Sequence, residues 1–408
     1  MTLVIKAGLL IDGRGGDPIR DALVLVEGKT IKAVGPTGGI EIPKGAEIVD
    51  ASDKTVMPGL IDCHVHITTN SASLEERLFT PKAVSYYQAA ENLKRMLGAG
   101  FTTARDGGGA DVGIRQALTM GLIPGPRLVV SGAIGQTGGL LEKRYPSGAQ
   151  IVDENSWRIC DGVEDVRRTV RQVLREGVDF VKVFATGGVG APQGHPFISE
   201  WTPAELAVVV EEANRCGVGV MAHAEGTDGI KNALRAGVTS VEHGYVLDQE
   251  AIDLFLETGT FLVPTLYISS HATSGLSAWS RRKKEQLLKA QAGCFRRACE
   301  AGVKVALGTD AFRKDMHGHN AIELSLMMKE GGLSAMEAIV AGTKHAAECC
   351  RLGAQIGTLE VGKLADVLLV AGNPLADMTV LQDPGRITVY KEGALASRPS
   401  LGNGEVNR

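Results

Sequence analysis

Five residues of this sequence have types and spacings that could hold metal ions, His64 and His66 in "DCHVHI", His223 in "MAHAEG", His243 in "VEHG" and Asp310 in "LGTD", and one further ionisable residue, Lys182 in "DFVKVFATGG", belongs to the same series of apolar runs. Residues two apart on a strand share a face, so His64 and His66 can grip one ion while Cys63 and Val65 turn the other way. Cys63 is therefore expected to be a core thiol against helices and not a ligand. Nitrogen and carboxylate donors suit zinc first, with manganese, iron or cobalt as alternatives. An isolated H-x-H says little. It gains weight here because single histidines and an aspartate close three further apolar runs. Lys182 raises a separate question, since it has apolar neighbours on both sides in a run that reads as a buried strand. Burying an unpaired ammonium costs several kcal/mol, on the order of ~5, so something must compensate it.

The elements that position these residues follow from a recurring physical unit. A helical pattern ends in a glycine suited to the left-handed position after a helix, and a short apolar strand follows at once. The unit occurs at "KRMLGAGFTTARD", "QVLREGVDFVKVF", "EEANRCGVGVMAH", "NALRAGVTSVEH", "LFLETGTFLVP" and "RRACEAGVKVALGTD", with glycines at 100, 177, 217, 237, 259 and 302. One helix opens on "TPAE", where Thr202 caps, Pro203 takes the first helical position and Glu205 closes a capping box. Adding "VMPGLIDCHVHI" and "PRLVVSG" gives eight strands, each apolar on both faces as buried parallel strands are. The expected fold is α/β, a (β/α)8 TIM barrel. The candidate ligands then fall at the carboxyl ends of its first, fourth, fifth, sixth and eighth strands, the face that carries chemistry in such barrels. The flanks are different in style, with short alternating strands in "LVIKAG", "DALVLVEGKTIKAV", "GKLADVLLVAG" and "ITVYKEGAL". Residues 1–56 plus 355–408 are expected to build one small β-sandwich domain, because neither end alone supplies a partner sheet, and residues 57–354 the barrel.

Bulk properties exclude several classes. A chain of 408 residues with 44% hydrophobic and 22% charged residues can bury a large core. The formal charge of -4 gives no basic field for nucleic acid or an anionic membrane, and "RRKK" at 281–284 is too short to act as an arm. Aromatic content of 4% also argues against stacking platforms for single-stranded nucleic acid. The amino terminus lacks a basic leader with an apolar core, and the seven irregularly spaced cysteines suit reduced thiols, so a cytoplasmic protein is expected.

Taken together, "MPGLIDCHVHI", the strand-end lysine, "MAHAEG", "VEHG", "LGTD" and the late "GKLADVLLV" resemble the amidohydrolase superfamily over essentially the whole chain. The resemblance implies two divalent metal ions, zinc by preference: His64, His66 and Asp310 for one, His223 and His243 for the other. Lys182 would bridge them as a carbamate formed from carbon dioxide. Desolvation lowers the lysine pKa toward the reactive amine, and the carbamate converts a misplaced cation into an anion with one oxygen for each metal. The implied reaction is hydrolysis at a carbonyl carbon bonded to nitrogen by a metal-bridging hydroxide, with Asp310 carrying the proton to the leaving amine.

Within the superfamily, "TTARDGG", "QTGG", "ATGGV" and "VEHG" look like the branch of Xaa-Pro and Xaa-Arg dipeptidases and relatives that cleave N-acyl amino acids. This implies a small-molecule substrate, a dipeptide or an N-acyl amino acid, and a homo-oligomer. Two positions depart from that branch: Leu140 stands where a histidine after "TGG" commonly helps bind the substrate carboxylate, and Glu225 where prolidase-like members tend to have tyrosine. Glu225 either favours a cationic or hydrogen-bond-donating substrate group or caps the helix starting near Thr227. Gln136 and Thr137 in the long glycine-rich loop, Tyr245 and His317 are further substrate-binding candidates, whereas His319 is expected to face a helix start, and His195, His271 and His345 to be surface or core residues. Hydrolysis or deamination of a heterocycle, as in imidazolonepropionase-like relatives, is the alternative, but those lack the fourth-strand lysine and carry H-x-x-E where His223, Ala224 and Glu225 are one residue short. Urea and carbamate hydrolysis belong to the same chemistry. Superfamily members that have become structural have lost ligands, and here all six positions are filled.

Overall fold

A computed structural model describes residues 2–71, 73–146, 148, 157–270, 277–291 and 293–399. His271, most of the tip of the long loop after the third barrel strand and the last nine residues lie outside the described residues. Among the described residues fifteen strands form two sheets. The first four are β1 (Thr2–Leu10), β2 (Ile19–Glu27), β3 (Thr30–Pro36) and β4 (Glu47–Pro58); β1 and the middle of β2 are largely buried, and β4 passes from an exposed start to four buried residues at its end. The barrel strands are β5 (Leu60–Val65), β6 (Phe101–Asp106), β7 (Arg127–Gly135), β8 (Trp157–Ile159), β9 (Phe180–Phe184), β10 (Gly219–Ala224), β11 (Ser240–His243) and β12 (Phe261–Val263). The chain then returns to the first sheet through β13 (Val367–Val370), β14 (Ile387–Lys391) and β15 (Ala394–Ser397), so that sheet runs β15-β14-β13-β4-β1-β2-β3 and joins both ends of the chain.

The second sheet has the order β12-β11-β10-β9-β7-β6-β5, all parallel, with β8 a short appendage on β7. The eighth stave, read in the sequence over "VKVALGTD", is extended but registers only as bridges, Leu262 with Val305 and Val65 with Ala311. Its backbone still closes the ring: Leu262 N donates to Lys304 O at 2.9 Å on one side and Cys63 N to Leu307 O at 2.8 Å on the other. The fold is thus a TIM barrel beside a small β-domain. All six junction glycines have φ between 67° and 91°, the left-handed turn that stops each helix and releases the next strand. The predicted capping box at Thr202 and Glu205 is present, with Pro203 at the first helical position.

Hydrophobic residues divide by face. Val181, Val183, Ala222, Ala224 and Val241 pack outward against the helical shell, while Ile61, Val129, Phe180, Met221, Phe261 and Val263 cluster with Ala346, Ala347 and Cys349 of the helix Lys344–Cys349. Cys63 belongs to this second cluster, its sulfur 3.5 Å from Ala346 O and 3.7 Å from Cys350 Sγ. It is a buried thiol against a helix, as expected, but it does not share the outward face of Val65. The pairing of β5 with β6 slips between Asp62 and Val65, and this irregularity breaks the simple alternation through "CHV". Among the described residues no helix is long and apolar enough to cross a membrane.

Candidate metal centre and active site

The strand ends bring the six candidate ligands to one mouth. His64 and His66 leave β5 with ring centroids 5.4 Å apart, and their Nε2 atoms lie 3.7 and 3.3 Å from Asp310 Oδ1. One donor atom from each of these three residues lies within 4.8 Å of the others. His243 at the end of β11 stands 5.3 Å from His64 and 4.5 Å from His223, centroid to centroid. Lys182 pairs in register with Met221 and Ala133 on the flanking strands, and its charge is felt by His64, His223 and His243.

Three of the four rings are aimed by Nδ1, while His223 instead has Nε2 3.3 Å from Gly187 O. His64 Nδ1 is 2.8 Å from Glu242 Oε2, His66 Nδ1 is 2.8 Å from Gly108 O, and His243 Nδ1 is 2.7 Å from Thr265 Oγ1. A carbonyl can only accept, so His66 carries its proton on Nδ1 and presents a free lone pair at Nε2, the tautomer that a metal ligand requires. Glu242 is itself held by Arg105, whose Nη2 donates to Oε1 at 2.9 Å, and by Ser240. Asp62 ties the eighth stave to the first: it accepts from His64 N at 3.0 Å, Thr309 Oγ1 at 2.7 Å and Asn320 Nδ2 at 2.7 Å.

Space and backbone strain point to the same place. A methyl on Gly107 would sit 2.9 Å from His64 Nε2 and 3.2 Å from His66 Cε1, and one on Gly188 would sit 3.3 Å from His223 Nε2. These glycines keep clear the volume in front of the donor nitrogens. His243, Thr265 and Asp310 have φ of 74°, 50° and 53°, a region that costs a side-chain-bearing residue about 1–2 kcal/mol. Hydrogen bonds hold the strained turns, including Asp310 N to His64 O at 2.7 Å and Gly244 N to Ala224 O at 3.0 Å.

The electrostatics keep the donors available. Burial, then the neighbouring Lys182, depresses His64 to about 4 and His223 to about 3, and burial with His223 holds His243 well below its ordinary value. All three imidazoles are neutral at pH 7. Burial also pulls the Lys182 ammonium down to about 8, so a useful fraction is free amine. Burial opposes the charge on Asp310, but the surrounding histidines hold it well below the usual carboxylate range. Neutral imidazoles, an ionised carboxylate, an activated amine and cleared space form a donor set that fits divalent cations.

The remaining candidates separate. Glu225 is buried with Oε1 3.8 Å from His223 Nε2, and among the described residues its Oε2 has no hydrogen-bond partner. It does not cap the following helix Thr227–Ala236, whose cap is Gly226 without a side-chain bond. Burial, followed by Asp310, pushes Glu225 up to about 8. Tyr245 is buried against His243 at 5.5 Å and shares Thr265, its hydroxyl 3.1 Å from Oγ1. His317 is buried beside the His66 backbone. Gln136 and Thr137 are engaged elsewhere: Gln136 bonds Glu205, and Thr137 is exposed and bonds Asp161 through its amide at 3.1 Å and its hydroxyl at 2.5 Å. They brace the loop. Leu140 is buried with Leu141, Ala133, Phe184 and Ala191. His319 is exposed, and His345 Nδ1 lies 3.1 Å from Val305 O.

Sequence reasoning missed Glu242, Arg105, Thr265 and Asp62. A glutamate directly before the strand-end His243 and an arginine inside "FTTARD" were the available signals, since each is an ionisable group within an otherwise apolar buried run.

A closed parallel barrel with histidines, a lysine and an aspartate gathered at its carboxyl face has the architecture of a hydrolase. Residues 55–395 match the amidohydrolase family, and the chain belongs to it. It is a hydrolase acting on carbon–nitrogen bonds. Ochratoxinase of Aspergillus niger is 34% identical over 428 aligned positions, covering 98% of this chain and 87% of the relative. The crystal structure of that enzyme superposes with a TM-score of 0.88 at 33% identity, covering 98% of this chain and 96% of the other. A prolidase complexed with N-methylphosphonate-L-proline gives 0.89 at 33% identity over 98% of this chain and 100% of the other. A Xaa-Pro dipeptidase with bound methionine gives 0.88 at 32% over 97% and 99%.

Proposed function

We propose that this enzyme hydrolyses the amide bond of a small molecule, a dipeptide or an N-acyl amino acid, with two divalent metal ions as cofactors. The observation that carries the reading is the set of imidazoles turned inward by Glu242, Gly108 O and Thr265 around Asp310 and a buried lysine. His64, His66 and Asp310 would hold one ion and His223 and His243 the second, with Lys182 bridging as its carbamate. When bound, the pair of ions, zinc by preference, supplies a water of lowered pKa and polarises the scissile carbonyl.

The chain's own groups do the rest. Asp310, ionised and fixed by its strained turn, accepts the proton of the attacking water at a carboxylate oxygen and passes it to the nitrogen of the departing amine. Glu242 holds His64 in one tautomer, and Thr265 orients the His243 ring through Nδ1 while also holding Tyr245, so the ring faces do not wander between turnovers. Names of similar proteins support this class of bond: ochratoxinase, prolidase and Xaa-Pro dipeptidase. A homo-oligomer in the cytoplasm is the setting we propose, to be tested by light scattering and fractionation.

The deciding experiment is a screen of metal-loaded enzyme against dipeptides, N-acyl amino acids, ureas and small carbamates, reading released amine. Turnover is expected among dipeptides or N-acyl amino acids. Ammonia release confined to heterocyclic amines would replace the reading with a deaminase.

A further inference from the structure

The loop after β9 has part of its polar backbone served from another element. Its run "GGVGAPQGHP", residues 187–196, forms neither strand nor helix, so several of its carbonyls find donors elsewhere. Four of them are met by one helix, Ala278–Gln291, which belongs to the connection after β12. Ser280 Oγ donates to Val189 O at 2.9 Å. Lys283 Nζ donates to Ala191 O and to Pro192 O, each at 2.9 Å, and also to Gly194 O. An ammonium has three protons, so Lys283 spends its whole donor capacity on this loop. Ser280 is buried and Lys283 half-buried, its Nζ 5.1 Å from the centre of the Trp279 ring.

The other side of the same loop faces the mouth. Gly187 O lies 3.3 Å from His223 Nε2, and a methyl on Gly188 would sit 3.3 Å from that nitrogen and 3.5 Å from Glu225 Oε1. Gly194 is stacked behind this spot, since a methyl there would sit 3.1 Å from Ala191 Cβ and 3.3 Å from Gly188 O. Ala191 is itself buried with Phe184 and Leu140. Contact therefore runs from Lys283 through Gly194 to Gly188, and from Gly188 to His223 and Glu225. A glycine-rich run has little conformational preference of its own, so its shape depends on what holds its carbonyls.

We propose that Lys283, seconded by Ser280, is a positioning residue for the substrate pocket: it latches the loop after β9 so that Gly188 stands as a fixed wall beside His223 and Glu225. The proposal rests on the amide-hydrolase reading above. It ties two loops of the mouth, those after β9 and β12, into one unit. The residue type matters as well as the charge. A compact ammonium points its three donors in three directions from one atom, whereas a planar guanidinium spreads its donors in a fork that does not meet three carbonyls converging on a point.

The test uses metal-loaded full-length enzyme with N-acetyl-L-methionine, comparing the parent with Lys283→Ala and Lys283→Arg. Both variants are expected to keep the parent's metal content and a kcat within a few-fold. KM rises about tenfold or more, because the loop shapes the pocket wall and not the proton path through Asp310. Propylammonium replaces the severed end of the lysine and is expected to restore most of the lost KM in Lys283→Ala, saturably, where 1-propanol does not. Unchanged KM in Lys283→Ala, metal content and kcat falling together, or equal rescue by 1-propanol overturns the assignment. Amide hydrogen exchange over residues 187–198 reads the latch without substrate. Faster exchange there in Lys283→Ala, slowed again by propylammonium, sustains it, and exchange equal to the parent's overturns it. If the parent neither cleaves nor binds N-acetyl-L-methionine, the amide-hydrolase reading alone fails and the exchange result decides the latch.

Discussion

At the scale of single residues, Glu242 links a buried arginine to a metal-ligand candidate. Burial opposes its charge, but Arg105 and His64 hold it down at about 2, so it remains an acceptor for the His64 Nδ1 proton across the working pH range. Glu242→Gln keeps the shape but weakens that acceptor, and metal affinity is expected to fall about 10- to 100-fold in a chelator competition. Unchanged affinity would show that His64 orients without it. Asp310→Asn is expected to keep fold and metal while losing several orders of magnitude in turnover, since an amide cannot take the proton of the attacking water. Near-normal turnover removes Asp310 from that role. For Lys182→Ala the expectation is about half the parent's metal content, with partial recovery on adding a short carboxylic acid that can stand in for the carbamate. A full metal complement in that variant contradicts the bridge.

At the scale of elements, the site depends on strands that end at one height and on gaps left between them. Gly107, just past β6, is such a gap: Gly107→Ala places a methyl 2.9 Å from His64 Nε2. We expect metal affinity to drop at least tenfold with thermal stability little changed, because the crowding is in the mouth and not in the core. Equal metal affinity in Gly107→Ala would mean that the donors lie elsewhere. Much of this was legible in the chain itself. Buried parallel strands are continuous apolar runs, so polar residues closing them at His223, His243 and Asp310 stand out, and the glycines at 100, 177, 217, 237, 259 and 302 mark each helix-to-strand turn. What was not legible depends on neighbours brought together only by closure. Arg105, Ser240 and Glu242 make sense as a triad only once β6 and β11 share an interior, and the slip in β5 that turns Cys63 inward has no local signature. Thr137 looked like a pocket residue because it adjoins "GG", yet its hydroxyl is spent on Asp161, a partner distant in sequence.

At the scale of the whole molecule, the two sheets are fastened where β7 meets the returning chain. Arg127 bridges Asp366 at 2.8 Å and Glu392 at 3.0 Å, and Lys391 Nζ reaches Gly125 O at 2.8 Å. The mouth places a load on that scaffold when metal is absent. Below pH 6.5 the unfolded chain protonates its histidines, while native His64 stays neutral down to about 4 and His223 to about 3. At these two histidines the unfolded state binds more protons, so their contribution to the stability of the metal-free protein falls as pH drops from about 6.5 toward 4, on the order of ~3 kcal/mol for His64 alone, while the buried carboxyls Glu225 and Glu323, pushed up to about 8, act in the opposite sense. Denaturant midpoints of the metal-free parent and a His64→Gln variant at pH 7 and pH 5 check this: the variant is expected to lose less stability, or gain more, than the parent on going to pH 5, and an equal change in both contradicts it. The account as a whole turns on what stands at Lys182. Crystals of metal-loaded enzyme, measured with anomalous scattering at the metal edge, answer this most directly. The account predicts two anomalous peaks, one among His64, His66 and Asp310 and one beside His223 and His243, with carbamate density continuous from Lys182 Nζ to both. A bare amine at Lys182 with a single peak or none would contradict it.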